Sequence, residues 1–87
     1  MGRVVATPGA IDACERAGVS LAHYFRRHVT GDWGDALPEE DARMNDRALE
    51  TGDDRILSSY WLPTREKLWI ITEWDRSATT ALLPAEY

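Results

Sequence analysis

The chain has 87 residues, 44% of them hydrophobic, with four Trp and three Tyr, and its fifteen carboxylates against ten Lys and Arg leave a net charge of −5. The aromatic content excludes a disordered chain. The lack of any apolar run of about 18 residues excludes a membrane-spanning helix, and the sign of the charge excludes a strongly basic nucleic-acid binder. This length sets the expectation of one domain over residues 1–87. Cys14 is the single cysteine, so no internal disulfide is expected and a reducing, cytoplasmic setting fits. The opening residues Met1–Ala6 are too short and too lightly apolar to read as a secretory signal.

Thr7-Pro8 predicts a helix start: Thr can cap free N–H groups, and Pro at the first helical position loses no hydrogen bond. The helix runs over 8–17, with Ile11, Cys14 and Ala17 at helical spacing, and Gly18 stops it. Ser20 opens a second helix over 20–29. There Leu21, Tyr24, Phe25 and His28 recur at i, i+3, i+4, i+7. Arg26, Arg27 and His28 suit the negative end of its dipole. Residues 30–37 read as a loop with two glycines around Trp33. Pro38 opens a third helix over 38–51, whose first turn carries Glu39, Glu40 and Asp41 and which closes at Gly52. Ala42, Asn45 and Leu49 form its stripe.

From Arg55 the period changes to two, which predicts strands over 55–62, 67–74 and 78–83, separated by turns at 63–66 and 75–77. The order predicts an α+β domain: two or three N-terminal helices packed on a three-stranded antiparallel β-meander. If Leu62 pairs with Lys67, Leu57, Trp61, Leu68, Ile70 and Trp74 form the apolar inner face. The other face then exposes Tyr60 and Trp69, an interaction surface suited to a partner or to homodimerisation.

The charge is unevenly spread. Residues 1–31 carry four Arg against Asp12 and Glu15, a balance of +2, and residues 55–87 carry four charges of each sign. Residues 32–54 carry nine carboxylates against Arg43 and Arg47, a balance of −7. Such a run forms either a solvated helix face or an acidic docking surface. On the second reading Asp32, Asp35, Glu39, Glu40, Asp41, Asp46 and Glu50 steer a basic protein surface, and Trp33 serves as an anchor. On the first, Trp33 plugs the core.

Three groups invite a chemical reading. His28 stands near Asp32 and Asp35, and a carboxylate partner makes a His a general base. It is equally a residue satisfying a helix end. Glu73 and Arg76, beside the hydroxyls of Ser77, Thr79 and Thr80, would combine with His28 into a metal-free ribonuclease: base, phosphate clamp and acid. The plain alternative is a turn in which Arg76 holds neighbouring groups. His23 and His28 are five residues apart, wrong for one helix face, and His23 reads as exposed. No metal site and no cofactor are expected.

The blocks His28-Val-Thr-Gly-Asp32-Trp33-Gly34-Asp35, Glu40-Asp41, Asn45, Arg55-Ile56-Leu57-Ser58, Trp69-Ile70-Ile71-Thr72-Glu73, Asp75-Arg76-Ser77 and Leu82-Leu83-Pro84-Ala85-Glu86-Tyr87 make the sequence resemble a family. It is a family of small bacterial proteins of about this length, carried on plasmids and other mobile elements, with HVTGDWGD and WIITExDRS motifs. The match covers residues 28–87 in blocks; Trp74 departs from the small residue of the pattern. The resemblance implies mobile-element cargo in a bacterial cytosol and no particular activity. With the charge map it makes the leading expectation a small acidic binding protein: an inhibitor of a nucleic-acid-targeting defence complex, anti-CRISPR or anti-restriction, acting as a nucleic-acid mimic rather than binding nucleic acid itself. The ribonuclease toxin and a structural homodimer are the alternatives.

Overall fold

The computed structural model describes residues 2–52 and 54–87; Met1 and Asp53, the latter counted in the acidic stretch, lie outside the described residues. The chain runs β1 (Arg3–Ala6), α1 (Pro8–Ala17), α2 (Leu21–Val29), α3 (Glu39–Thr51), β2 (Ile56–Trp61), β3 (Lys67–Thr72) and β4 (Ala78–Leu82), with a 3-10 turn at Pro84–Glu86. The punctuation read from the sequence sets the helix ends. Thr7 Oγ1 accepts the Ala10 N–H at 3.1 Å. Gly18 and Gly52 terminate α1 and α3 in the left-handed conformation, both at φ 70°. Ser20 stands at the start of α2 but makes no side-chain cap.

The sheet is four-stranded and mixed, in the order β1-β4-β3-β2, rather than the three-stranded meander expected. β1 lies parallel to β4, with Val4 opposite Thr79 and Ala6 opposite Ala81, while the two hairpins are antiparallel. Gly2 and Arg3 donate to the carbonyls of Arg76 and Ser77, so β1 also closes over the last turn. A Cβ on Gly2 would stand 2.2 Å from the Ser77 carbonyl oxygen, which only glycine avoids.

The first hairpin corrects the expected register by one residue. Trp61, not Leu62, pairs with Lys67, and Tyr60 pairs with Leu68. Leu62 accepts the Arg65 N–H and donates to Glu66 O, so the turn is Pro63-Thr64-Arg65 with Arg65 left-handed at φ 71°. A three-residue hairpin loop needs one such residue, usually glycine. A one-residue slip exchanges the faces of a strand. The inner face is therefore Ile56, Ser58 and Tyr60 of β2, Leu68, Ile70 and Thr72 of β3, and Thr79 and Ala81 of β4, all buried. Leu57, Trp61 and Trp74 do not join it: Leu57 and Trp61 face the other side, and Trp74 is exposed in the turn after β3, which ends at Thr72.

The main core forms where α1 and α2 meet this inner face. α1 buries Ala10, Ala13 and Cys14 there, small residues that let the helix come close to the sheet, and α2 buries Tyr24, with Ala17, Leu21 and Phe25 packed partly buried against them. A second cluster joins Trp33, Ala48 of α3 and Ile56. α3 lies along the free edge of β2. Asn45 accepts the Leu57 N–H at 3.0 Å and donates to its carbonyl, so one side chain substitutes for a neighbouring strand. Further along the same edge, Ser59 donates to Trp33 O and accepts from Ala36 N. The edge is thus closed against pairing with another chain.

Candidate functional site

His28 points from α2 into the sheet and away from the carboxylates expected to partner it. It is 4% exposed. Nδ1 shares a hydrogen bond of 2.5 Å with Ser58 Oγ, Nε2 shares one of 2.8 Å with Thr72 Oγ1, and Thr72 bonds on to Thr79 at 2.9 Å. Burial pushes the imidazole down to about 4, since no carboxylate is at hand to hold its charge. Asp32 instead forms a two-pronged pair with Arg27, at 2.6 and 3.2 Å, and also accepts the Gly34 N–H. These bonds hold its carboxyl below the usual range. Arg27 stacks in turn over the Tyr60 ring at 4.6 Å.

A cleft of about 330 Å³ opens between α2, the 30–33 loop and α3, lined by His28, Val29, Trp33, Leu49, Thr72 and Arg76 among others. It brings His28 and Arg76 together, but Glu73 is not among its lining. Arg76 is committed elsewhere: its guanidinium donates to the carbonyls of Asp54, Glu73, Trp74 and Ala48. It thereby caps the C-terminal turn of α3 and ties it to the β3–β4 turn, where Arg76 is itself left-handed at φ 62°. The groups the ribonuclease reading needs free are thus engaged: the Arg76 guanidinium bonds four backbone carbonyls, and each ring nitrogen of His28 is bonded to a hydroxyl. His23 is exposed and stacks edge-on with Tyr24. Among the described residues no group of three or more His, Cys, Asp or Glu is placed to hold a metal.

Trp33 is core rather than surface. It is 9% exposed, packs edge-on to His28 and donates its indole N–H to Asp46 at 3.1 Å. Gly34 beside it is left-handed at φ 89°, and a Cβ there would stand 2.1 Å from Ser59 O. This close approach lets the loop lie against β2. Tyr60 is 0% exposed and donates its hydroxyl to Asp32 O at 2.6 Å. Tyr60 and Trp69 therefore lie on opposite faces, and the expected Tyr60/Trp69 patch does not form. The outer face carries Trp61, Lys67 and Trp69, with Tyr87 packed edge-on to Trp69.

The acidic stretch divides by direction. Glu39, Glu40 and Glu50 on α3 and Asp35 in the loop are exposed, Asp41 is half-buried toward the outer sheet face, Asp46 holds Trp33, and Asp32 holds Arg27. Among the described residues no carboxylate of α3 forms an ion pair, although Arg43 and Arg47 share the helix. Met44 and Leu49 are exposed on the same helix. Sequence reasoning placed Asn45 on the stripe of α3 but not at the β2 edge that it closes, and it passed over Ser59, which carried no signal. No family model, curated protein or solved structure matches the chain.

Proposed function

We propose that the protein works by binding rather than by catalysis, and that α3 presents an acidic surface to a basic protein partner. The observation that carries this is the set of α3 carboxylates left without ion pairs, on a helix that also exposes Met44 and Leu49. Unneutralised charge steers a partner of opposite sign, and adjoining apolar groups supply contact that holds it. The resemblance to mobile-element proteins directs the partner class to host defence complexes that hold nucleic acid, whose basic grooves an acidic helix would occupy. The engagement of His28 and Arg76 with structural partners weighs against the ribonuclease alternative.

The test is a pull-down from bacterial lysate with the wild-type chain and with a variant carrying Glu39→Gln, Glu40→Gln, Asp41→Asn and Glu50→Gln. Asp46 is kept because it holds Trp33. The wild type should retain a basic protein that salt releases, and the folded variant should not retain it. Equal retention by both would end the proposal.

A further inference from the structure

The outer sheet face holds a second cleft, of about 260 Å³, between the 36–38 loop and β2–β3. It is lined by Leu37, Leu57 and Trp69, by Ser59, the most buried of them, and by half-buried Asp41 and exposed Lys67 toward its rim. Ser59 is 2% exposed, and among the described residues its Oγ is the one buried side-chain oxygen or nitrogen without a hydrogen-bond partner. A buried hydroxyl left unbonded is costly and calls for an explanation. The backbone supplies the geometry. Both peptide groups of Ser59 turn toward the loop, to Trp33 and Ala36. Ser59 and Trp69 are therefore a pair without mutual backbone hydrogen bonds, the kind whose side chains stand closest. The unbonded hydroxyl thus sits beside an indole in an apolar trough.

Asp41 adds the charge. It stands in the first turn of α3, half-buried, with no ion pair of its own among the described residues. The opposing charge on the rim, Lys67, has its ammonium 5.1 Å from the centroid of the Trp61 ring.

We propose that this cleft receives an arginine side chain of a basic partner, with the guanidinium against the Trp69 indole and donating to Asp41 and to Ser59 Oγ, which is buried in the unliganded chain and which the entering side chain must uncover. This deepens the functional reading above and rests on it. The three groups fit arginine better than lysine. A guanidinium is planar and stacks on an indole, and it donates in several fixed directions at once. An ammonium is a more strongly hydrated point charge that the apolar walls would strip of water. The role of Lys67 gives the proposal a sign: it repels the ligand, so removing its charge should strengthen binding. An anionic ligand would require the opposite.

The probe is blocked arginine, N-acetyl-arginine methylamide, titrated into the full chain. The readout is the NMR shift of the Trp69 indole N–H and the Ser59 amide. Blocked lysine, blocked norleucine and N-acetyl-glycine, an anion, are the comparison arms. Blocked arginine should shift both signals in a saturable way, and blocked lysine should bind several-fold more weakly. Asp41→Asn should weaken arginine about tenfold, as expected for loss of a charge-assisted bond. Lys67→Met should tighten it. Ser59→Ala should weaken it while melting at or above the wild-type temperature, because an unbonded hydroxyl is removed; a merely structural serine would not separate the two readouts. The proposal falls if no probe moves Trp69 and Ser59, if the anion binds and Lys67→Met abolishes it, or if norleucine binds as well as arginine. If arginine fails here while the α3 variant still loses its basic partner, the cleft assignment alone is wrong.

Discussion

The buried imidazole of His28 makes stability depend on pH mostly above the range in which ordinary carboxylates titrate. In the unfolded chain His28 takes up a proton near 6.5; in the fold its value is about 4. Between these values the unfolded state binds more protons, so stability falls as pH is lowered and is fully present only above 6.5. For that shift the loss is about 2 kcal/mol by pH 5 and about 3 kcal/mol by pH 4. The cause is local: protonated His28 must bury a charge among Ser58, Thr72, Thr79 and the edge of Trp33, with hydroxyls but no anion to receive it. Urea unfolding followed by tryptophan fluorescence at pH 7, 6, 5 and 4.5 measures the slope. His28→Gln should be less stable at pH 7, since one amide cannot span both hydroxyls as the ring does, but should show little slope between pH 7 and 5. A wild type whose stability is flat from pH 7 to 4.5, or a variant that keeps the full slope, would refute a neutral buried imidazole.

Two further substitutions test the packing of the site. Gly34→Ala should lose more than about 3 kcal/mol in urea unfolding, since its Cβ meets Ser59 O at 2.1 Å and the Tyr60 ring at 2.7 Å. Gly52→Ala, at a similar backbone angle with nothing within 4 Å, should lose only about 1 kcal/mol. Asn45→Ala should lose about 3 kcal/mol and raise aggregation measured by light scattering, because it orphans the Leu57 N–H and C=O and reopens the β2 edge.

The helix and strand limits were legible because residues with one physical role mark them. Thr7, Gly18 and Gly52 behave as their chemistry dictates, and alternation located three of the strands. β1 was not legible, since Arg3–Ala6 is four residues with no alternation and becomes a strand only by pairing with β4 from the far end of the chain. The sheet faces were misread for one reason. Arg65 takes a left-handed conformation that sequence assigns to glycine or asparagine, so the first turn is a residue shorter than its Pro-Thr-Arg-Glu sequence implies. From that slip followed the misplaced Tyr60 and the reversed roles of Leu57 and Trp61. The acidic stretch was legible as charge but not as direction: Trp33 Nε1 and Arg27 claim two of its carboxylates, and only a folded chain shows which remain open.

The central claim is that the open carboxylates of α3 carry the function. Its most direct test is a cell-based challenge, with the wild type or the Glu39→Gln, Glu40→Gln, Asp41→Asn, Glu50→Gln variant expressed in bacteria bearing an active restriction or CRISPR system. Plaque formation by a targeted phage is scored, and a melting curve establishes that the variant is folded. The wild type should restore plaques and the variant should not. Plaques restored equally by both, or by neither across the systems tried, would contradict the claim.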